Sequence, residues 1–214
     1  MSNRITHKYN QGNGDRGYSL LLDGHSISKD DPSCWIYSEI EHLNNQISQT
    51  LATYELEYCE LLSLLEWLKS NSFSISSFCF LKGNSDRHAL SVDISDDLEW
   101  NVCELKEDKV VGEAADFVIH NSLKYIALDT IRISIRDVER AFTKWRRHDI
   151  IMQFIIDTVR EQPDIAQRIV INIDGYAGFL NRLSTYLWLA TRQEALMCGD
   201  CNTQSYWNGG VVEK

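Results

Sequence analysis

Only two prolines, Pro32 and Pro163, occur in the 214 residues. Proline breaks helices because it lacks an N–H and clashes with the preceding turn. A chain so nearly free of it can hold long uninterrupted helices, and the spacing of apolar residues shows where. Trp35, Ile36, Ile40, Leu43 and Ile47 recur at helical steps after Pro32. Leu61, Leu62, Leu64, Leu65 and Leu68 form a second run, broken over Ser70 to Ser77. Phe78 to Leu81 reads as a short apolar connector, residues 82 to 95 as loop, and Leu98 to Val111 as a weak helix with a charged face. The clearest stripe is Ile131, Ile135, Val138, Phe142 and Trp145, at steps of four, three, four and three. A further helix is predicted from Asp149 to Glu161, ending before Pro163. The last runs from about Tyr176 to Leu196 and stops at Gly199. The pattern predicts an all-α bundle of five helices in a single domain over 1–214. Residues 1–32 form a glycine-rich arm, 33–196 the bundle and 197–214 a mobile tail.

Composition narrows the function. The formal net charge of -10 argues against a nucleic-acid or anionic-membrane footprint, which needs a basic surface. No apolar run is long enough to span a membrane. Met1 to Asn10 is polar and has no secretory h-region. Four of the six cysteines stand singly, which fits reduced thiols in a cytoplasmic protein. Cys198 and Cys201 form one C-x-x-C without a second pair or an adjacent histidine, and the six histidines lack ligand spacing. A metal site built from these is not expected.

Two clusters could carry chemistry. Gly12 to Gly17 can turn successive N–H groups toward an anion, with Lys29 nearby to neutralise phosphate charge. An ordinary surface turn and an acidic N-cap at Asp30 and Asp31 explain the same residues. Arg132, Arg136 and Glu139 share a helix face one position, about 100°, from the apolar stripe. At the edge of a core they suit a triphosphate or a carboxylate; a surface ion-pair ladder explains them equally well. Asn181 and Arg182 lie on the last helix, where a polar face is again the plainer account.

Taken in order, these segments resemble the PduO-type ATP:cob(I)alamin adenosyltransferases. The matching pieces are Gly14-Asp15-Arg16-Gly17, Ile27-Ser28-Lys29-Asp30-Asp31-Pro32, Glu41-His42-Leu43-Asn44, Phe117-Val118-Ile119, Arg132 and Arg136 with Val138-Glu139-Arg140, and Phe179-Leu180-Asn181-Arg182-Leu183-Ser184. The resemblance runs from about residue 9 to residue 195. It implies a five-helix bundle assembled as a homotrimer, with ATP and Mg²⁺ between subunits, a cobalamin substrate, and a corrinoid reductase as the electron-delivering partner. It implies ATP contacts from Asn13, Gly14, Asp15, Gly17, Lys29, Arg136, Glu139 and Asn181, and a metal contact from Glu139. Arg132 would pair with Glu41 of a neighbouring subunit, both serving catalysis with Arg136. Phe117 would pack under the corrin and exclude the lower axial ligand.

Four departures stand out. The family's T-R-T is Gln11-Gly12-Asn13, its P-G-G is His120-Asn121-Ser122, the second arginine of its R-R pair is Asp137, and its closing aspartate is Thr185. Lost cations weaken a triphosphate site, so a non-catalytic, nucleotide-binding sensor or regulator on the same fold is the alternative expectation.

Overall fold

The computed structural model describes residues 16–20, 26–84, 90, 92–108, 111 and 122–199. Their order is β1 (Tyr18–Leu20), β2 (Ser26–Ser28), α1 (Pro32–Thr53), α2 (Cys59–Asn71), α3 (Phe73–Phe80), α4 (Val92–Glu107), α5 (Leu123–Arg146), α6 (Asp149–Glu161) and α7 (Pro163–Met197). Helices dominate, as the stripes predict. The strands pair antiparallel with Ser19 opposite Ile27. No helix among the described residues is long and apolar enough to cross a membrane. Asn13, Gly14, Asp15, Phe117 and the 200–214 tail lie outside the described residues.

Helix α5 is the centre. Its predicted stripe, Ile131, Ile135, Val138, Phe142 and Trp145, is fully buried, and α1 and α7 pack against it. The lower end is aromatic: Phe142 lies 5.3 Å from Trp145, and Phe78 lies 4.8 Å from Tyr176, between ring centroids. Each buried large side chain stabilises the fold by about 1.5–3 kcal/mol relative to exposure. α4 and α6 pack on α7, and α3 packs on α1.

Local chemistry explains the boundaries. Pro32 occupies the first turn of α1, where its missing N–H costs nothing, and the Asp31 side chain accepts from the Ser33 N–H at 2.8 Å. The break between α2 and α3 is held from outside. The Asn44 amide on α1 donates to the Lys69 carbonyl at 2.7 Å and to Ser72 Oγ at 3.1 Å. It thereby satisfies one of the carbonyls orphaned at the end of α2.

Three expectations need correction. Phe78 to Leu81 is not merely a connector, because Phe73–Phe80 is helical and buries Ile75, Phe78 and Cys79. The fourth helix begins at Val92, inside the stretch read as loop, and ends at Glu107. Its inward positions, Ile94, Leu98, Val102 and Leu105, are separated by polar residues that hid the period. The last helix begins at Pro163, well before Tyr176. Pro163 sits in its first turn, and Ala166, Ile169, Ile173 and Tyr176 continue one buried stripe into the predicted segment.

Gly83 ends the α3 turn with φ +78, and a Cβ there would meet Ile169 Cγ2 at 3.1 Å and Phe78 Cζ at 3.2 Å. Both the left-handed backbone and the close approach of α7 demand glycine. Gly83→Ala should lower unfolding free energy by about 1–3 kcal/mol, measured by urea denaturation.

Candidate functional site

The functional stripe of α5 follows from its buried stripe. With Ile131, Ile135 and Val138 facing inward, Arg132, Arg136 and Glu139 are turned to the edge of the core. Arg132 and Glu139 are half-buried and Arg136 is exposed. α7 runs antiparallel alongside, and its Asn181 amide donates to Glu139 Oε1 at 3.3 Å. The structure therefore joins two predicted site residues that are distant in sequence. Arg132 is oriented from its own helix, with Nε donating to Asp129 Oδ1 at 2.6 Å. Within the described residues of this single chain it makes no ion pair with Glu41, which is exposed on α1.

Asp137, where the resemblance calls for an arginine, pairs with Arg140 one turn on. Its negative charge is thus compensated locally, so it opposes a bound anion less than a bare carboxylate would. Thr185 turns its hydroxyl to the Asn181 carbonyl at 3.4 Å. Arg182 forms an ion pair with Glu99 of α4 at 2.5 Å, which uses it to hold α4 on α7.

Part of the N-terminal cluster is described. Gly17 has φ +80, a conformation that favours glycine, and its carbonyl accepts from the Lys29 N–H at 2.7 Å. This bond closes the base of the β1–β2 hairpin and places Lys29 directly before α1, with its side chain exposed. Among the described residues, no group of three or more His, Cys, Asp or Glu side chains could hold a metal ion. Cys198 lies 3.4 Å from both Lys124 Nζ and Glu194 Oε1; Cys201 lies outside the described residues.

Sequence reasoning missed a buried carboxylate. Glu194 is fully buried in the last turns of α7. Its oxygens accept from the backbone N–H groups of Glu57 at 3.0 Å and Tyr58 at 2.7 Å, at the start of α2. Lys124, in the first turn of α5, completes the set as an ion pair. The available signal was a charged residue on the stripe that runs through Leu183, Leu187 and Ala190. Burial alone would raise the Glu194 pKa, but Lys124 and the two N–H donors outweigh it and leave the carboxyl below its usual 4.5. Burial likewise opposes the Lys124 charge, and the bond to Glu194 reverses this, raising the pKa above 10.5.

This arrangement of helices belongs to a known class. The chain is a member of the cobalamin adenosyltransferase family, whose sequence model matches residues 10–194, and so is classed as a transferase. Its fold is shared with solved PduO-type ATP:corrinoid adenosyltransferases from Lactobacillus reuteri. A phenylalanine-to-alanine variant complexed with cobalamin and ATP is 21% identical with TM-score 0.60, covering 89% of this chain and 94% of that one. An arginine-to-lysine variant complexed with ATP is 23% identical with TM-score 0.57, covering 87% and 93%. A phenylalanine-to-histidine variant with cobalamin and ATP is 21% identical with TM-score 0.58, covering 90% and 92%. No curated protein matches the chain.

The buried cluster predicts a pH signature. The depressed Glu194 pKa contributes stability above 4.5 that is lost as pH falls through the folded value. The raised Lys124 pKa contributes below 10.5 and is lost as pH rises through its folded value. Glu194→Gln leaves Lys124 without its buried partner and should cost about 3–5 kcal/mol near neutral pH. The gap in melting temperature between wild type and variant should close on acidification below 4.5. A gap independent of pH from neutral to acid would assign Glu194 a packing role only.

Proposed function

We propose that this chain transfers the 5′-deoxyadenosyl group of ATP to the cobalt(I) of a corrinoid, with release of triphosphate. The observation that carries the reading is the meeting of Glu139 with Asn181 beside Arg132 and Arg136, inside the segment that matches the family. Cobalt(I) supplies the electron pair that forms the cobalt–carbon bond, and the bond from C5′ to the triphosphate oxygen breaks. The chain's own residues have to position ATP and neutralise the leaving group.

Arg136, exposed on α5, would bind the triphosphate by charge-assisted hydrogen bonds. Arg132, held by Asp129, would reach Glu41 of a neighbouring copy, so the complete site requires an oligomer, which we assign as a homotrimer. Lys29, with Asn13, Gly14, Asp15 and Gly17, would close over the phosphates, and Phe117 would pack under the corrin. Glu139 fits a magnesium ion: one carboxylate oxygen already meets the Asn181 amide at 3.3 Å, and Mg²⁺ characteristically takes one or two carboxylates plus substrate phosphates. When bound, Mg²⁺ supplies neutralising charge at the triphosphate. Cobalt reduction calls for a separate electron donor, a corrinoid reductase. A cytoplasmic setting suits the free thiols of Cys34, Cys59, Cys79, Cys103 and Cys198.

A second reading, a nucleotide-binding regulator without catalysis, is favoured by Asp137 and Thr185 at positions where the family resemblance calls for arginine and aspartate. An anaerobic assay separates the two. Protein, Mg-ATP and chemically reduced cobalamin should yield the light-sensitive cobalt–carbon product as the cobalt(I) absorption disappears. ATP binding without product or cobalamin affinity would establish the regulator instead. Arg136→Ala should weaken ATP about ten- to a hundredfold, from a charge-assisted contact of about 1.5–3 kcal/mol. Calorimetric titration with Mg-ATP checks this, and unchanged affinity in both Arg136→Ala and Lys29→Ala would place the pocket elsewhere.

A further inference from the structure

A cavity of about 360 Å³ lies between strand β2, the start of α1, the end of α3 and the α5–α6 turn. None of Arg132, Arg136, Glu139 and Asn181 lines it. Its size falls within the range of small-molecule sites. Its walls are of two kinds. Ile27, Phe80, Ile150 and Ile151 supply apolar surface. Trp145, His148, Lys82 and Asp31 supply the polar groups.

The polar groups are unevenly satisfied. Trp145 is fully buried, yet its indole Nε1–H has no acceptor among the described residues. A buried donor left unpaired costs about 1–3 kcal/mol, and this one belongs to a residue of the cavity wall. His148 Nδ1 accepts from the Ile150 N–H at 3.4 Å, which directs the ring proton to Nε2 as a second donor. Asp31 is occupied at one oxygen by the Ser33 N–H at the start of α1. Lys82 lies 5.2 Å from the Phe154 ring, a contact that orders its ammonium without neutralising it.

We propose that this cavity binds a small monocarboxylate with an aromatic or branched aliphatic body. The carboxylate would accept from the Trp145 indole and His148 and pair with Lys82, while the body packs on the isoleucines and Phe80. Lys82 and Asp31 both line the wall, a balance that suits one added negative charge better than the two of a phosphate dianion. The chain's net charge of -10 also disfavours anions held by general attraction, so binding here must come from the local donors.

Benzoate tests this directly in the full-length chain. Nitrogen-15 correlation spectra resolve tryptophan indole N–H groups, and the Trp145 signal is assigned by its absence in Trp145→Phe. Where that variant is poorly folded, nuclear Overhauser contacts to Phe142 make the assignment. Benzoate should shift the Trp145 indole signal downfield and saturably at millimolar concentration. Lys82→Gln, a surface change, should weaken the effect tenfold or more, and neutral benzyl alcohol should not reproduce it. Absence of a saturable shift, an equal shift from benzyl alcohol, or indifference to Lys82→Gln would each overturn the proposal. Saturation by orthophosphate but not benzoate would overturn the carboxylate class.

Discussion

One helix register sets everything else in this protein. The buried stripe of α5 can face α1 and α7 in only one rotation, because Trp145, Phe142 and Ile135 have no exposed alternative in a close-packed core. That rotation carries Arg132, Arg136 and Glu139 to the groove as a matter of geometry. A site on a packed helix inherits the helix's rigidity, which a loop of the same residues lacks. The antiparallel α7 adds Asn181 at the matching level, so the pairing with Glu139 reports the relative height of the two longest helices.

The sequence displayed this core plainly because α5 and the later half of α7 alternate apolar and polar residues at clean helical steps. It concealed the helix start at Val92, where polar residues interrupt the inward positions, and the early half of α7, where Pro163 looks like a stop but serves as a first turn. Helix α3 was hidden by serines, which often mark turns; Ser76 is instead buried and bonds back to the Phe73 carbonyl at 2.9 Å. The site's arginines were legible as a stripe. Their meeting with Asn181 was not, because nothing in the linear order sets the height of one helix against another. Glu194 shows a different gap: a buried carboxylate looks like a surface residue until its donors are known.

The departures from the family pattern look less severe in three dimensions. Asp137 replaces a cation but carries Arg140 as its own counterion, so the local charge falls without becoming a free negative centre. Asn44, part of a matching segment, spends its amide on the α2–α3 break. Residues preserved in a motif thus divide between chemistry and architecture, and only their contacts sort them.

The Glu194 bond to the start of α2 joins residues separated by 137 positions in the chain. It is a contact that synthesis completes late. During synthesis, α1 and α2 leave the ribosome long before their carboxylate partner exists, so two N–H groups at the head of α2 must stay hydrated in the meantime. The head of α2 consequently reaches its final hydrogen bonding only with the last helix. The nascent chain has to keep that seam open and wet until the end of α7 arrives to dry and close it.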